Sequence, residues 1–435
     1  MKLDRHAQLA GVRCACAVAV SLSPLVAWGD WESVPDLRLE VEANDNPRLG
    51  QDPDDIGIAP EELEDHTATR MLFDGRVQLR NVGQRGTVVL TPRIRVDTYA
   101  DDADADLERQ DAYLNLRTSY RSPRSTVGLR ADFARESILS SELVDTGVLD
   151  PTEPSDPVDP SDNETGVLVL LDEFRNRINV SPYAELEMSE RSALLIDARF
   201  LDVSYTGPEL RVRTDFSDVM FSLGVRRTID DRTGVSARLI TSRYEADATA
   251  NETDTVGVEG SFDRALSEIW SFSITTGLQR SDFVFLDVDD EIVDNASTNY
   301  TFDLSFSKRT ELASLDLGIF RLLTPNAVGF LTERNELRVL YRRQLSERLR
   351  AGFGLRAVEV GALDGDSVDR DYVRADFDIE WSLSPAWALS ARYGAMDQSF
   401  SGDRLDGTAN LLSIGAVYRG LARAQPSRAV ATRSP

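Results

Sequence analysis

Histidine and cysteine, which carry much of the nucleophilic and acid–base chemistry of enzymes, are scarce in this chain. The 435 residues include two histidines, two cysteines, 74 acidic and 48 basic residues. His6 falls in a segment that we interpret below as removed on export, which leaves His66 as the sole histidine for a Ser–His pairing. No serine stands in a sequence context that marks a nucleophile. A hydrolase is therefore the weakest hypothesis for this sequence.

Arginines and carboxylates recur at alternate positions of strand-like runs, so one face of each strand would carry them. In a barrel, opposed rows of the two create a field across the interior, or they neutralise one another as structural pairs. Both alternatives stay open at this stage. The candidates for lining the interior are Arg93, Arg95, Arg117, Arg177, Arg199, Asp303, Arg356, Asp376, Asp378 and Glu380.

Two acidic segments offer oxygen ligands of the kind that calcium and magnesium prefer. Neither has the glycine and glutamate positions of an EF-hand loop, so we expect weak divalent cation binding at most and no dedicated metal site. No glycine-rich phosphate loop is present, and we expect no cofactor. A formal net charge of -26 argues against nucleic acid as a partner. The acidic ligand candidates are Asp101, Asp102, Asp104, Asp106, Asp287, Asp289 and Asp290.

Residues 1–29 have the layout of a secretory signal peptide. Positive residues lie between 2 and 13, an apolar run covers 14–25, and Ala27 and Gly29 are the small residues of a predicted cleavage site. Both cysteines fall in this segment, so the mature chain would need no disulfide. No run reaches the roughly 18 apolar residues of a membrane-spanning helix.

From residue 30 to residue 421 the sequence alternates apolar with polar residues in runs of roughly ten, as strands with two different faces do. For example, Trp270, Phe272 and Ile274 alternate with Ser271 and Ser273. The apolar face would be the core of a soluble sandwich or the lipid-facing side of a membrane barrel.

The connections between these runs decide between the two architectures. Alternate connections are tight, as at Ser122–Arg124 and Ser346–Arg348, whereas the others are longer and acidic, the longest from Glu136 to Asp172. Outer-membrane barrels have this asymmetry. We therefore predict an all-β, transmembrane, antiparallel up-and-down β-barrel of about 18 strands, within a range of roughly 14 to 18, in the cell outer membrane. Short turns would be periplasmic and the long acidic loops extracellular.

Aromatic residues beside the tight turns fit a girdle at the membrane interface. They are Tyr120, Trp270, Trp381, Trp387 and Tyr418. The partners expected for such a chain are outer-membrane lipid, lipopolysaccharide and the barrel-insertion machinery, with divalent cations at the loops.

Several phrases of the sequence resemble a proteobacterial family of outer-membrane β-barrel proteins, largely uncharacterised, some of whose members are linked with surface-polysaccharide or exosortase-type systems. The resemblance lies in Glu42–Pro47, Leu90–Arg93, Arg135–Ser137 and Ser141–Gly147. It implies the fold and the location. Such barrels usually end on an aromatic residue, whereas here a polar tail, 422–435, follows the last predicted strand, which leaves the place of the insertion signal open.

The function that we expect from the sequence is a non-enzymatic, porin-like channel for small polar solutes. Barrels of about 16 to 18 strands leave an aqueous channel, and acidic loops would favour cations at its mouth. A structural or accessory barrel of a surface-polysaccharide export system is the alternative that the resemblance implies.

Overall fold

The computed structural model describes residues 31–47, 67–100, 107–138, 174–207, 213–247, 251–286, 292–325, 331–362, 370–400 and 407–420. Within these ranges no helix is long and apolar enough to cross a membrane. The predicted signal peptide, the acidic ligand candidates, His66 and the predicted tail lie outside them.

Eighteen antiparallel strands form a single sheet, which confirms the predicted all-β class and strand number. In chain order they are β1 (Trp31–Asn44), β2 (Ala68–Val82), β3 (Gly86–Tyr99), β4 (Arg109–Ser122), β5 (Ser125–Ser137), β6 (Phe174–Ser189), β7 (Ser192–Thr206), β8 (Phe216–Asp230), β9 (Thr233–Ala246), β10 (Asn251–Ala265), β11 (Trp270–Leu286), β12 (Ile292–Arg309), β13 (Ala313–Pro325), β14 (Leu331–Gln344), β15 (Leu349–Ala362), β16 (Arg370–Ser382), β17 (Trp387–Phe400) and β18 (Gly407–Arg419).

The sheet closes on itself because β1 pairs with both β2 and β18. Leu37 lies opposite Gly75 on one side and Tyr418 on the other. The closure continues past the last strand, where the Gly420 N–H donates to the Pro35 carbonyl at 2.6 Å. Each of the 18 strands therefore has two hydrogen-bonded neighbours, and no sheet edge is left among them.

Eight connections are tight turns of two to four residues, and they all lie at the same end of the barrel, here the turn end. Short polar side chains close several of them by accepting from the backbone, as Asp230 does from Arg232 N–H at 2.8 Å and Ser384 from Trp387 N–H at 3.1 Å. The other nine connections, of four to 36 residues, join strands at the opposite end, here the loop end.

Several strands begin earlier at the loop end than the alternation predicts. We expect β12 to start near Thr298 and β14 near Glu336, whereas they start at Ile292 and Leu331. Likewise, Glu136 belongs to β5 and not to the long connection. The strands continue past the part of the barrel that meets lipid. Beyond that part the outer face need not be apolar, so these residues show no apolar–polar alternation.

The two faces of the sheet have opposite polarity, in the reverse sense to a soluble protein. Outward-facing apolar side chains such as Leu239, Val256 and Ile414 are 62–65% exposed. Inward-facing Asp97 and Arg356 are 0% exposed. Soluble monomers do not expose a continuous apolar surface of this extent. The outer face is therefore suited to lipid.

Aromatic side chains ring the outer face near the turn end, where the sequence places them. The rings of Trp387 and Tyr418 lie 5.0 Å apart, and the Lys308 ammonium lies 4.6 Å from the centre of Trp270. A cation that reaches past an aromatic ring is typical of the headgroup region of a bilayer. The girdle therefore defines one boundary of the apolar band.

Two neighbouring residues of β11 allow the polarity of the faces to be tested. Leu278 is outward and 58% exposed, whereas Gln279 is inward. We expect L278R to destabilise the barrel in lipid, by at most the roughly 2–4 kcal/mol found for arginine at the bilayer midplane, and Q279R to have little effect. The measurement is urea unfolding in lipid vesicles, followed by tryptophan fluorescence. Equal losses for the two variants would contradict the assignment of faces.

Candidate functional site

The inner wall of the barrel is the candidate site, and the strand register brings the predicted polar residues onto it. Arg93 and Arg95 alternate with Ile94, which is 56% exposed on the outer face. All ten candidates face inward by the same alternation: Arg93, Arg95, Arg117, Arg177, Arg199, Asp303, Arg356, Asp376, Asp378 and Glu380. Their part in any transport remains a prediction.

One buried carboxylate on β14 holds three guanidinium groups. Glu336 lies 2.9 Å from Arg334, 2.6 Å from Arg338 and 2.9 Å from Arg356. All four belong to β14 and β15. Sequence reasoning found only Arg356 of this group. The others could have been found from the register, because they alternate with the outward residues Leu337 and Val339.

A second network crosses the seam where the barrel closes. Glu42 of β1 pairs with Arg70 of β2 at 2.7 Å and with Arg392 of β17 at 3.2 Å. Asp97 of β3 continues it, at 2.9 Å from both Arg70 and Arg109. These five residues, the seam network, join β17 and β1–β4 on the inner wall. The sequence did not predict these five residues as partners, since they are far apart along the chain.

A cavity of about 60 Å³ lies beside the seam network, and its charged lining is mainly cationic. Seven arginines line it, against the carboxylates of Glu42 and Asp74. Carboxylates outside the lining also pair with these arginines, among them Glu40, Asp97 and Asp376. The lining itself is thus rich in arginine although the chain as a whole is strongly acidic.

The inner wall of β9–β12 differs in kind, because hydroxyl groups replace most of the charges. Hydroxyl pairs link neighbouring strands: Ser236 with Ser261 at 2.5 Å, Thr255 with Ser281 at 2.9 Å, and Ser271 with Ser307 at 2.6 Å. We call this sector the hydroxyl half. The strands of the seam network and of the Glu336 cluster form the ionised half.

A cavity of about 700 Å³ opens at the turn end of the hydroxyl half. Its lining includes Ser271, Ser307, Asp303, Phe320 and Arg338. Inner-wall side chains are exposed or half-buried here, whereas on the same strands near the loop end Thr255 and Ser281 are buried. Access to the hydroxyl half is therefore from the turn end.

The inner wall at the loop end carries two buried apolar clusters, which the sequence did not predict. One, on β15–β18, includes Val360, Tyr372 and Leu411. The other includes Tyr205 and Phe216, and Leu331 of the distant strand β14 packs against it. The apolar–polar alternation does not predict these clusters, because it does not distinguish an inward apolar residue from an outward one.

No described group of three or more histidine, cysteine or acidic residues is arranged to hold a metal ion. The acidic segments singled out as cation ligands, at 101–106 and 287–290, lie outside the described ranges. Divalent cation binding at the loops therefore stays a prediction.

Solved structures of outer-membrane porins share the general plan of this barrel. A BenF-like porin from Pseudomonas fluorescens Pf-5 is 10% identical and has a TM-score of 0.44, with 90% of this chain and 99% of that chain covered. OccAB3 from Acinetobacter baumannii is 11% identical, with a TM-score of 0.43 and coverages of 90% and 99%. OpdK from Pseudomonas aeruginosa is 12% identical, with a TM-score of 0.40 and coverages of 89% and 99%. No family model and no curated protein matches the sequence.

This is an 18-stranded transmembrane-type barrel. That conclusion rests on the closed register and on the reversed polarity of the faces, because a likeness of this degree to the porins is limited to architecture. The 18 strands lie between Trp31 and Arg419, so the barrel accounts for most of the chain.

Removing the shared carboxylate of the Glu336 cluster tests whether the cluster stabilises the barrel. In E336Q, two buried guanidinium groups, of Arg334 and Arg356, and the half-buried one of Arg338 lose their common counter-charge. We expect a loss of about 3–5 kcal/mol in the free energy of unfolding. The matched control is E333Q on the same strand, whose carboxylate pairs with Arg321 on the outer side and is partly exposed. A loss in E336Q no larger than in E333Q would show that the cluster is not stabilising.

Proposed function

We propose that this protein is a non-enzymatic channel of the outer membrane that admits small polar solutes. The observation that carries the proposal is the reversal of polarity across a closed ring of 18 strands. Such a ring is apolar where it meets lipid and lined by ionised and hydroxyl groups within. Barrels of about 16 to 18 strands are wide enough to hold an aqueous path. The cavity of about 700 Å³ at the turn end is part of such a path.

Charge on the inner wall and charge in the loops favour opposite ions. The acidic segments at 101–106 and 287–290 support the predicted preference for cations at the mouth. The small cavity lined by seven arginines favours anions inside. We propose that a solute meets the negative charge of the loops first and the positive charge of the arginines afterwards, and that both contribute to selectivity.

Conductance tests the channel, and cysteine labelling tests whether its path is the lumen. The only native cysteines, Cys14 and Cys16, lie in the predicted signal peptide. In planar bilayers we expect discrete conductance steps. A charged methanethiosulfonate reagent should reduce them in S273C, which lines the large cavity, and leave them unchanged in I274C on the outer face. A folded barrel that gives no conductance would overturn the proposal.

Ion preference tests the contribution of the acidic loops. We expect a reversal potential that indicates cation preference in a KCl gradient, and we expect a shift toward anions when Asp101, Asp102 and Asp104 are replaced together by asparagine. Neutralising Arg70 and Arg392 should shift it in the opposite direction. A channel whose reversal potential is the same in all variants would contradict this assignment of selectivity.

The resemblance to barrels linked with surface-polysaccharide systems suggests a second role, as an accessory barrel in polysaccharide export. It rests on short sequence phrases and on no feature of the inner wall. Adjacent polysaccharide-export or exosortase genes would favour it.

A further inference from the structure

The large cavity at the turn end has a lining whose charges balance and whose neutral polar side chains are all hydroxyls. Five arginines and five aspartates line it, together with six serine or threonine residues. The small cavity of the ionised half, by contrast, has seven arginines and two carboxylates. A balanced lining gives no net attraction for an ion of either sign. It presents many donors and acceptors to a neutral solute.

The donors and acceptors of this cavity are arranged in rows across neighbouring strands. Ser271 and Ser307 share a hydrogen bond of 2.6 Å between their hydroxyl groups. Next to them, the Ser305 hydroxyl donates to Asp303 at 2.9 Å. Asp263, which also lines the cavity, is exposed. Carboxylates accept hydrogen bonds from hydroxyl groups strongly, so the hydroxyls of a solute would find acceptors on two strands of the wall, β10 and β12.

One aromatic ring in the cavity lies close against the wall. Phe320 lies over Gly318, where a Cβ would come within 2.5 Å of the Phe320 Cζ atom. Glycine is therefore required at 318 for the ring to take this position. The Arg338 guanidinium lies 5.7 Å from the ring centre, and the ring is half-buried. An apolar platform beside acidic and hydroxyl groups suits a molecule with one apolar C–H face and a polar rim.

We propose that this cavity binds a neutral, polyhydroxylated solute of the saccharide class, with Phe320 as the platform and Asp263 and Asp303 as hydroxyl acceptors. This rests on the proposed channel function and names its substrate class. The volume of about 700 Å³ lies within the range of roughly 300–1,000 Å³ that is usual for small-molecule sites. The cavity is reached from the turn end, so the solute binds on that side of the path.

The chain offers a matched control for the platform. Tyr183 on β6 lies over Gly128 of β5 in the same way, with the Arg130 guanidinium 5.5 Å from its ring centre. It faces inward but lies outside the cavity. F320A and Y183A therefore remove equivalent inner-wall aromatics, one inside the proposed site and one outside it.

The experiment is single-channel recording with D-glucose and maltose as neutral probes and gluconate as the anionic counterpart of glucose. We expect the neutral sugars to interrupt the current, more strongly when added from the turn side. F320A should weaken this block about tenfold, equivalent to the loss of one good contact, and D303N should weaken it similarly. Y183A should leave it unchanged. F320L keeps an apolar side chain without the ring and replaces F320A if that variant does not fold.

The inference is overturned if gluconate blocks and the neutral sugars do not, or if Y183A weakens the block as much as F320A. A conducting channel that no sugar blocks would overturn it while leaving the channel function intact. If the barrel does not conduct, the channel function fails. Calorimetric titration of glucose into the folded protein in detergent then decides the binding site alone, and binding that is lost in F320A but kept in Y183A would support it.

Discussion

In hydrocarbon, a peptide N–H or C=O group that lacks a hydrogen-bond partner costs several kcal/mol, because no water can replace the partner. A sheet meets this constraint only by closing. Here β1 pairs with β2 and β18 at once, so the outermost strands of the chain become neighbours. Everything else about the molecule follows from that ring. It fixes which side chains meet lipid, which ones meet each other inside, and at which end each connection lies.

Two sectors of the inner wall differ in their chemistry. In the ionised half, carboxylates such as Glu336 and Asp97 each hold several arginines, at separations near 2.9 Å. In the hydroxyl half, serine and threonine pairs take their place. Buried charges need partners, which ties up the ionised half. Hydroxyl groups tolerate exchange between protein and solute partners, so the hydroxyl half is the better surface for a transient ligand.

Much of this architecture could be predicted from the sequence. The strict alternation around Trp270–Leu278 and the tight turns such as Ser346–Arg348 indicate the barrel and its two ends, since both are local properties. The residues of the seam network could not be predicted as partners, because Glu42 and Arg392 meet only when the register of the closed ring is known. The apolar clusters at the loop end could not be predicted for a different reason. Residues such as Tyr205 and Leu411 cannot be told from lipid-facing residues until it is known which alternate positions of their strands face inward.

The seam network has a consequence for the order in which the molecule can be made. Glu42 lies near the start of the described chain and Arg392 near its end, yet the two form a buried ion pair. Ring closure is therefore a contact of very high sequence separation, which is slow to form in folding. Until β18 pairs with β1, Arg392 of β17 is not held beside Glu42, and one edge of β1 has no hydrogen-bonded neighbour. A chain cut short before β18 would thus remain an open sheet, and the unpaired N–H and C=O groups along its exposed edge would pair with the strands of other chains.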